Sequence, residues 1–338
     1  MFQLSSSALL RVALPLLLAQ LPGAQARSVS MGGANTLEAV TPDRAWHHEV
    51  IDGFFKQSSP SFPSNDPSYD PLIDSFGLID QSSSRWARFK SKIQALNEDG
   101  GDGTAVKVFF LARHGQGYHN VAEAKYGTPA WNSHWSKLNG DGEIVWGPDA
   151  LLTPLGRRQA RRGHRAWLNQ SEEGVPLPQS LYSSPLSRAA ETGRITWEGI
   201  LHASELEREA ERSLQIGTEA VRPVFKEKLR ETLGVHTCDQ RRSKTYLHSS
   251  FPAFAFEPGF SEQDQLWKPD ARETDSEQEQ RIRKVLDETF TFDPSTYIAI
   301  TAHGGTIQSF LRAVGHRKIS IPPGGMVPVV VRAEERPM

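Results

Sequence analysis

Cysteine is nearly missing: Cys238 is the only one in 338 residues. No intramolecular disulfide can brace the chain, so its core must hold by packing. Net charge is missing too. Basic and acidic residues, 38 against 40, leave a formal charge of −2, which excludes the global positive field that draws a protein to nucleic acid or anionic lipid. Any anion site must therefore be local. No cofactor motif, nucleotide-binding glycine loop, basic nucleic-acid stripe or internal repeat is present. What remains is a chain with 38% hydrophobic and 23% charged residues, long enough to bury a large core in one sizeable domain or two small ones.

The apolar run VALPLLLAQL, residues 12–21, is too short for a membrane-spanning helix and holds Pro15. Arg11 precedes it, and PGAQA with small residues at Ala24 and Ala26 follows, which is the layout of a secretory leader cleaved after Ala26. The expectation is a signal peptide over 1–26 and a mature protein that is secreted, or kept in the cell wall or vacuole, with no membrane association. The acceptor tripeptide Asn169-Gln170-Ser171 agrees with that route and makes Asn169 a glycosylation candidate.

Residues 27–103 are rich in Ser, Pro, Asp and Gly and read as an extended arm. Phe54, Phe55 and the stretch FGLI at 76–79 pin it to the body, and residues 84–96 form one amphipathic helix with Trp86, Phe89, Ile93 and Leu96 on a side. NEDGGDG is a break, and the catalytic domain runs over 104–338. Strands are expected at 106–112, 180–183, within 221–229, at 297–302 and at 326–332, alternating with helices that start at Pro154 behind a Thr153 cap, at Ser184-Pro185, near Asp275 and near Thr306. That alternation predicts a three-layer α/β/α sandwich around a mostly parallel sheet.

Three of these strands end in polar motifs: Arg113-His114-Gly115, Ser184-Pro185-Leu186-Ser187-Arg188 and His303-Gly304-Gly305. Ligands of open α/β sheets sit outside the carboxyl ends of strands, so two arginines and two histidines would meet at one edge. Guanidiniums fork onto phosphoryl oxygens, and a histidine nitrogen placed in line can take the phosphoryl group covalently. Each motif alone is a common turn or helix start; in order, each behind an apolar strand, they point to phosphate chemistry.

With these motifs the chain resembles the histidine phosphatase superfamily in its phosphoglycerate-mutase-like branch. ARHGQGYHN, LYSSPLSRAAET and AHGG are similar to that superfamily's motifs, and WSKLNGDGEIVWGPDALLTPLGRRQA and LRETLGVHTCDQRRS resemble its fungal and plant subgroup. The resemblance spans 46–335. It implies that His114 is the phosphorylated nucleophile, that Arg113 and Arg188 bind phosphate with Asn120, and that His303 completes the pocket. Gly304 stands where the acid phosphatase branch has an aspartate, so the proton donor implied is Glu231 of LRETLGVHTCDQRR. Gly115, Gln116 and Gly304 join the phosphate-binding set. Tyr118, His119, Trp135, His236, Arg241, Arg242 and Lys244 are candidate pocket liners, the basic group as a grip for a second phosphate or a carboxylate; an ordinary solvated charge cluster at Arg241, Arg242 and Lys244 and a core aromatic at Trp135 fit the sequence equally.

The function expected is a metal-independent, cofactor-free phosphomonoesterase acting on a small phosphorylated metabolite through phosphohistidine. Alternatives are a phosphomutase, which must exclude water from the phosphoenzyme, and a degenerate phosphate-binding protein. A zinc hydrolase built on His114, His119, His236 and His303 fits less well, because His114 and His119 are five apart with glycines between and Arg113 would repel the cation.

Overall fold

The apolar run at 106–112 becomes strand β2, Thr104–Arg113, near the middle of a seven-stranded sheet. It has no alternation of apolar and polar residues because both its faces are covered. This is a computed structural model that describes residues 45–64, 70, 72–201 and 221–336; the leader expected at 1–26 and the start of the arm lie outside the described residues. The other strands are β1 (Ala45–Val50), β3 (Ser180–Ser183), β4 (Val224–Phe225), β5 (Ala255–Phe256), β6 (Tyr297–Ala302) and β7 (Met326–Arg336), in the spatial order β1-β7-β2-β6-β3-β4-β5. From β2 to β5 every pairing is parallel; β7 alone runs against its neighbours.

Helices cover both faces. Phe109 and Leu111 of β2 pack with Ile298 and Ile300 against helix α7 (Asp275–Phe292) and helix α8 (Gly304–Ala313), through Ile282, Leu286 and Phe310. Val106, Val108 and Phe110 face the other way, toward helix α1 (Arg85–Asp99), helix α4 (Pro154–Glu172) and helix α5 (Ser187–Trp197), through Trp86, Phe89, Trp167 and Trp197. The three-layer architecture follows from these two clusters. Three smaller helices, α2 (Tyr118–Tyr126), α3 (Thr128–Ser133) and α6 (Lys244–Ser250), lie in the connections.

The segment expected to be an arm with one helix does more than lie on the core. Residues 45–50 join the sheet as its edge strand, with Trp46 opposite Glu335 and Val50 opposite Val331. AWHHEV has one fully buried position, His48, so no alternation marked it as a strand. Phe76 is wholly buried, with its ring 4.8 Å from that of Trp167. Trp86 of α1 donates to Gln170 Oε1 of α4 at 2.9 Å. Asn169 is exposed in the last turns of α4 rather than in a loop.

Candidate active site

Register decides which residues meet. β2 and β6 pair with Arg113 opposite Ala302, and β3 pairs with β6 so that Ser183 lies opposite Thr301. The pairing continues one residue further: His114 N donates to Ala302 O and Ser184 N to Thr301 O, each at 3.0 Å. The three motifs therefore leave the sheet side by side at its carboxyl edge, where an open α/β sheet holds its ligand.

His114 is 1% exposed and its ring lies 5.1 Å from His303 and 5.3 Å from His119. Its Nδ1 is 2.6 Å from Gly115 O. A carbonyl only accepts, so Nδ1 carries the proton and Nε2 is left with a lone pair. Burial, then the charges of Arg188 and Arg113, hold the imidazole well below its ordinary pKa, so this neutral tautomer persists at neutral pH.

Arg188 comes from the start of α5 and is 1% exposed. Nη1 donates to Cys238 O at 2.7 Å, Nη2 to Asp239 Oδ1 at 2.8 Å, and Nε lies 3.4 Å from His114 Nε2. Arg113 donates from Nη1 to Ile321 O at 2.8 Å, while its Nε is buried without a partner. One terminal nitrogen anchors that guanidinium and leaves a side edge for a ligand. His303 is fully buried; Nε2 meets Ser184 Oγ at 2.7 Å and Nδ1 has no partner. With the serine hydroxyl donating to Nε2, Nδ1–H is a free donor. Unpaired buried polar atoms are rare in folded chains, and here Arg113 Nε, His119 Nδ1 and His303 Nδ1 are all of that kind.

Glu231 stands at the start of α8. Its Oε2 accepts from Gly305 N at 3.1 Å, and its Oε1 from Thr232 N at 3.0 Å and Gln278 Nε2 at 3.3 Å. A Cβ on Gly305 would stand 2.3 Å from Oε1, so glycine is required there by the carboxylate itself. Gly115 is likewise fixed by a close approach: a Cβ there would stand 2.3 Å from Gly156 O at the start of α4. That contact is braced by Thr153, which caps α4 by accepting from Gly156 N at 3.0 Å and bonds Gln116 Oε1 at 2.8 Å. Gln116 is engaged in holding this corner together. Gly304 supports the Arg113 guanidinium, whose Cζ is 3.5 Å from where its Cβ would be. Asn120 folds back onto Gly117 N at 3.0 Å.

Among the candidate pocket liners the structure separates two kinds. His119 is buried beside His114 with no bond to its ring nitrogens, and burial, then Arg188, hold it well below its ordinary pKa. His236 is half-buried, lowered to about 4 by burial and then Arg272. Tyr118 is half-buried at the start of α2. Arg241 is a correction: it cannot grip a ligand. Nε donates to both Glu227 oxygens at 3.0 and 2.8 Å, Nη1 to Arg242 O and Glu262 O, and Nη2 to Ser261 and Gln263, with the guanidinium over the Phe260 ring. Each of its donors already has an acceptor. Trp135 stacks on Tyr126 at 4.0 Å, and Lys244 Nζ sits over the Phe256 ring. Ligand-capable atoms of His236, Cys238 and Asp239 come within 4.8 Å of one another, but both Asp239 oxygens accept from guanidiniums, Arg188 and Arg272, which would repel a cation.

Sequence reasoning missed two buried carboxylates. Asp149 accepts from Ser187 N at 2.8 Å and from Ser187 Oγ at 2.6 Å, and so fixes the first turn of α5. That helix begins at Ser187, two residues after Pro185, because this distant carboxylate rather than Ser184 satisfies its first donor. Asp239 holds the Arg188 head. The only local signal was an Asp in each of two motif-like stretches, GPDALL and HTCDQ, with nothing to say where either pointed.

No family model matches the chain. A protein of Arthroderma benhamiae called Probable phosphoglycerate mutase is 40% identical over 319 residues, covering 90% of this chain and 88% of that one. Phosphomutase-like protein 3 of Candida albicans is 34% identical over 282 residues, 83% of this chain and 78% of its own length. Among solved structures, a mycobacterial glucosyl-3-phosphoglycerate phosphatase complexed with VO3 aligns over 66% of this chain and 92% of that one, with 19% identity and a TM-score of 0.36, a likeness too slight to support an argument.

Proposed function

Because this chain belongs to the phosphoglycerate mutase-like family of the histidine phosphatase superfamily, we propose that it is a phosphomonoesterase working through a phosphohistidine at His114. The observation that carries this reading is the tautomer of His114: Nδ1–H donates to Gly115 O at 2.6 Å, so the lone pair is on Nε2, where it accepts a long contact from Arg188 Nε at 3.4 Å that a phosphoryl group would take over.

In the first step Nε2 attacks phosphorus, the P–N bond forms and the P–O ester bond breaks. Arg113 Nε, Arg188 Nε and His303 Nδ1–H hold the phosphoryl oxygens as charge moves in the transition state. Glu231 gives a proton to the leaving oxygen, so the alcohol departs neutral. In the second step water attacks phosphorus, Glu231 takes a proton back, the P–N bond breaks and orthophosphate leaves. No metal is needed at any step of this sequence.

A second reading, phosphomutase, is favoured by the names of the two relatives. It differs only in what meets the phosphoenzyme, a substrate hydroxyl or water. A secretory leader, expected from residues 1–26, favours water, since phosphorylated glycolytic intermediates are scarce outside the cytosol. Secretion belongs to this proposal.

Phosphate release from an aryl phosphate, with chelator present and His114→Ala alongside, tests the reading. Hydrolysis that survives chelation and disappears in the variant supports it. A folded wild type that releases no phosphate but interconverts phosphoglycerates would move the assignment to the mutase.

A further inference from the structure

We propose that Asp239 is a positioning residue for phosphoryl transfer, fixing the Arg188 guanidinium at the nucleophile and, through Arg272, fixing the loop that carries Glu231 in the same register. The inference rests on the reading of the site given above. It concerns a side chain that touches neither the nucleophile nor the space around it.

Arg188 has a long, flexible side chain whose useful edge is Nε, 3.4 Å from His114 Nε2. Two contacts decide where that edge points, and both come from one short turn: Cys238 O on Nη1 at 2.7 Å and Asp239 Oδ1 on Nη2 at 2.8 Å. Arg188 is 1% and Asp239 3% exposed, so no solvent competes for the pair. Burial alone would raise the Asp239 carboxyl, but Arg188 and Arg272 hold it below its ordinary pKa.

The second oxygen reaches the other half of the site. Asp239 Oδ2 accepts from Arg272 Nη1 at 3.2 Å, and the same nitrogen donates to Thr232 O at 3.1 Å and Gly234 O at 2.6 Å. Thr232 is the neighbour of Glu231. One carboxylate thus joins the cation that would hold the phosphoryl group to the loop bearing the proton donor. Geometry of this kind matters because misplacing a reacting group by about 1 Å can cost about a hundredfold in rate.

A purely structural ion pair would show itself differently, and Asp141 supplies the comparison. Its side chain is 3% exposed and bonds Lys125 and Tyr126 rather than Arg188, Arg272 or the Glu231 loop. The experiment measures kcat and KM on an aryl phosphate, vanadate binding and thermal unfolding for wild type, Asp239→Asn, Asp239→Glu and Asp141→Asn. Asp239→Asn should unfold cooperatively, lose about a hundredfold in kcat/KM and bind vanadate at least about tenfold more weakly. Asp239→Glu should recover part of both, and Asp141→Asn should lose stability alone. Arg272→Lys, at a side chain 31% exposed, should keep vanadate affinity within about threefold while kcat falls about tenfold.

A folded Asp239→Asn with both quantities within about threefold of wild type overturns the inference, as does an equal loss in Asp141→Asn. Should Asp239→Asn fail to fold, Arg272→Lys decides the question: an unchanged kcat overturns it. A wild type that neither binds vanadate nor hydrolyses the ester would overturn the reading of the site itself, and is told apart because the variants then have nothing to lose.

Discussion

Arg188 holds its Nε 3.4 Å from Nε2 of His114 while both of its terminal nitrogens are bound by the turn at 237–239. The guanidinium is thus aimed before any ligand arrives, and its charge helps keep the imidazole neutral. Arg188→Lys keeps the charge and loses the planar fork, so it should lower kcat/KM on an aryl phosphate by about a hundredfold or more, beside a stability loss of about 1–3 kcal/mol from the acceptor left unpaired at Cys238 O or Asp239. Steady-state kinetics with calorimetry checks this.

Gly305→Ala should act chiefly through Glu231. The added methyl would stand 2.3 Å from Oε1, and either the carboxylate or the start of α8 must give way. A loss of about ten- to a hundredfold in kcat is expected, larger for esters with poor leaving groups, which need the proton most. Equal losses for aryl and alkyl phosphates would count against Glu231 as the donor.

Arg241→Ala should be a stability variant. With its donors bound to Glu227, Ser261, Glu262 and Gln263, its removal leaves the half-buried Glu227 with Arg230 as its remaining guanidinium and several carbonyls without a donor, at about 1–3 kcal/mol. Relative rates across several phosphate esters should be unchanged. A changed ester preference in the folded variant would return Arg241 to the binding site.

Burial pushes the Asp149 carboxyl up to about 6, from 3.8. The folded chain then holds this proton more tightly than the unfolded chain does, so the contribution is present below about 4 and fades as pH rises through about 6. Asp149→Asn removes that slope. Its urea midpoint should fall less than the wild type's across this interval, and parallel curves would contradict the assignment.

His48 works in the opposite direction. Burial, then Arg283, lowers it to about 4, and its ring packs 5.2 Å from Phe290. Below 6.5 the unfolded chain takes up the proton first, so stability is lost as pH falls from 6.5 toward 4. His236, also near 4, adds to this, and together they should outweigh Asp149 and make the protein acid-sensitive. His48→Gln should melt at a lower temperature at pH 7 but lose less on acidification, a comparison that pH-dependent calorimetry makes directly.

The sheet was legible in the sequence where strands are buried on both faces. Residues 180–183 and 297–302 match their strands end to end, and 106–112 fell inside β2. Those runs are apolar because helices cover both their sides. Edge elements were not legible: β1 has one wholly buried residue, and β5 is two residues long, too short for any period. His114, His303, Arg113 and Arg188 could be located because each follows a readable strand. Asp149 and Asp239 could not, since they act on partners 38 and 51 residues away through irregular loops. Arg241 was misassigned for the same reason: a basic pair near a motif says nothing of the acidic residues that fold around one member.

The central claim is a covalent bond between phosphorus and His114. The direct measurement is an alkaline quench of wild type and His114→Ala during turnover of an aryl phosphate, followed by mass spectrometry of the peptide carrying Arg113-His114-Gly115. Wild type should show that peptide heavier by one phosphoryl group on His114, formed at least as fast as the ester is hydrolysed, and His114→Ala should show none. Turnover by wild type without any phosphorylated His114 peptide would contradict the account.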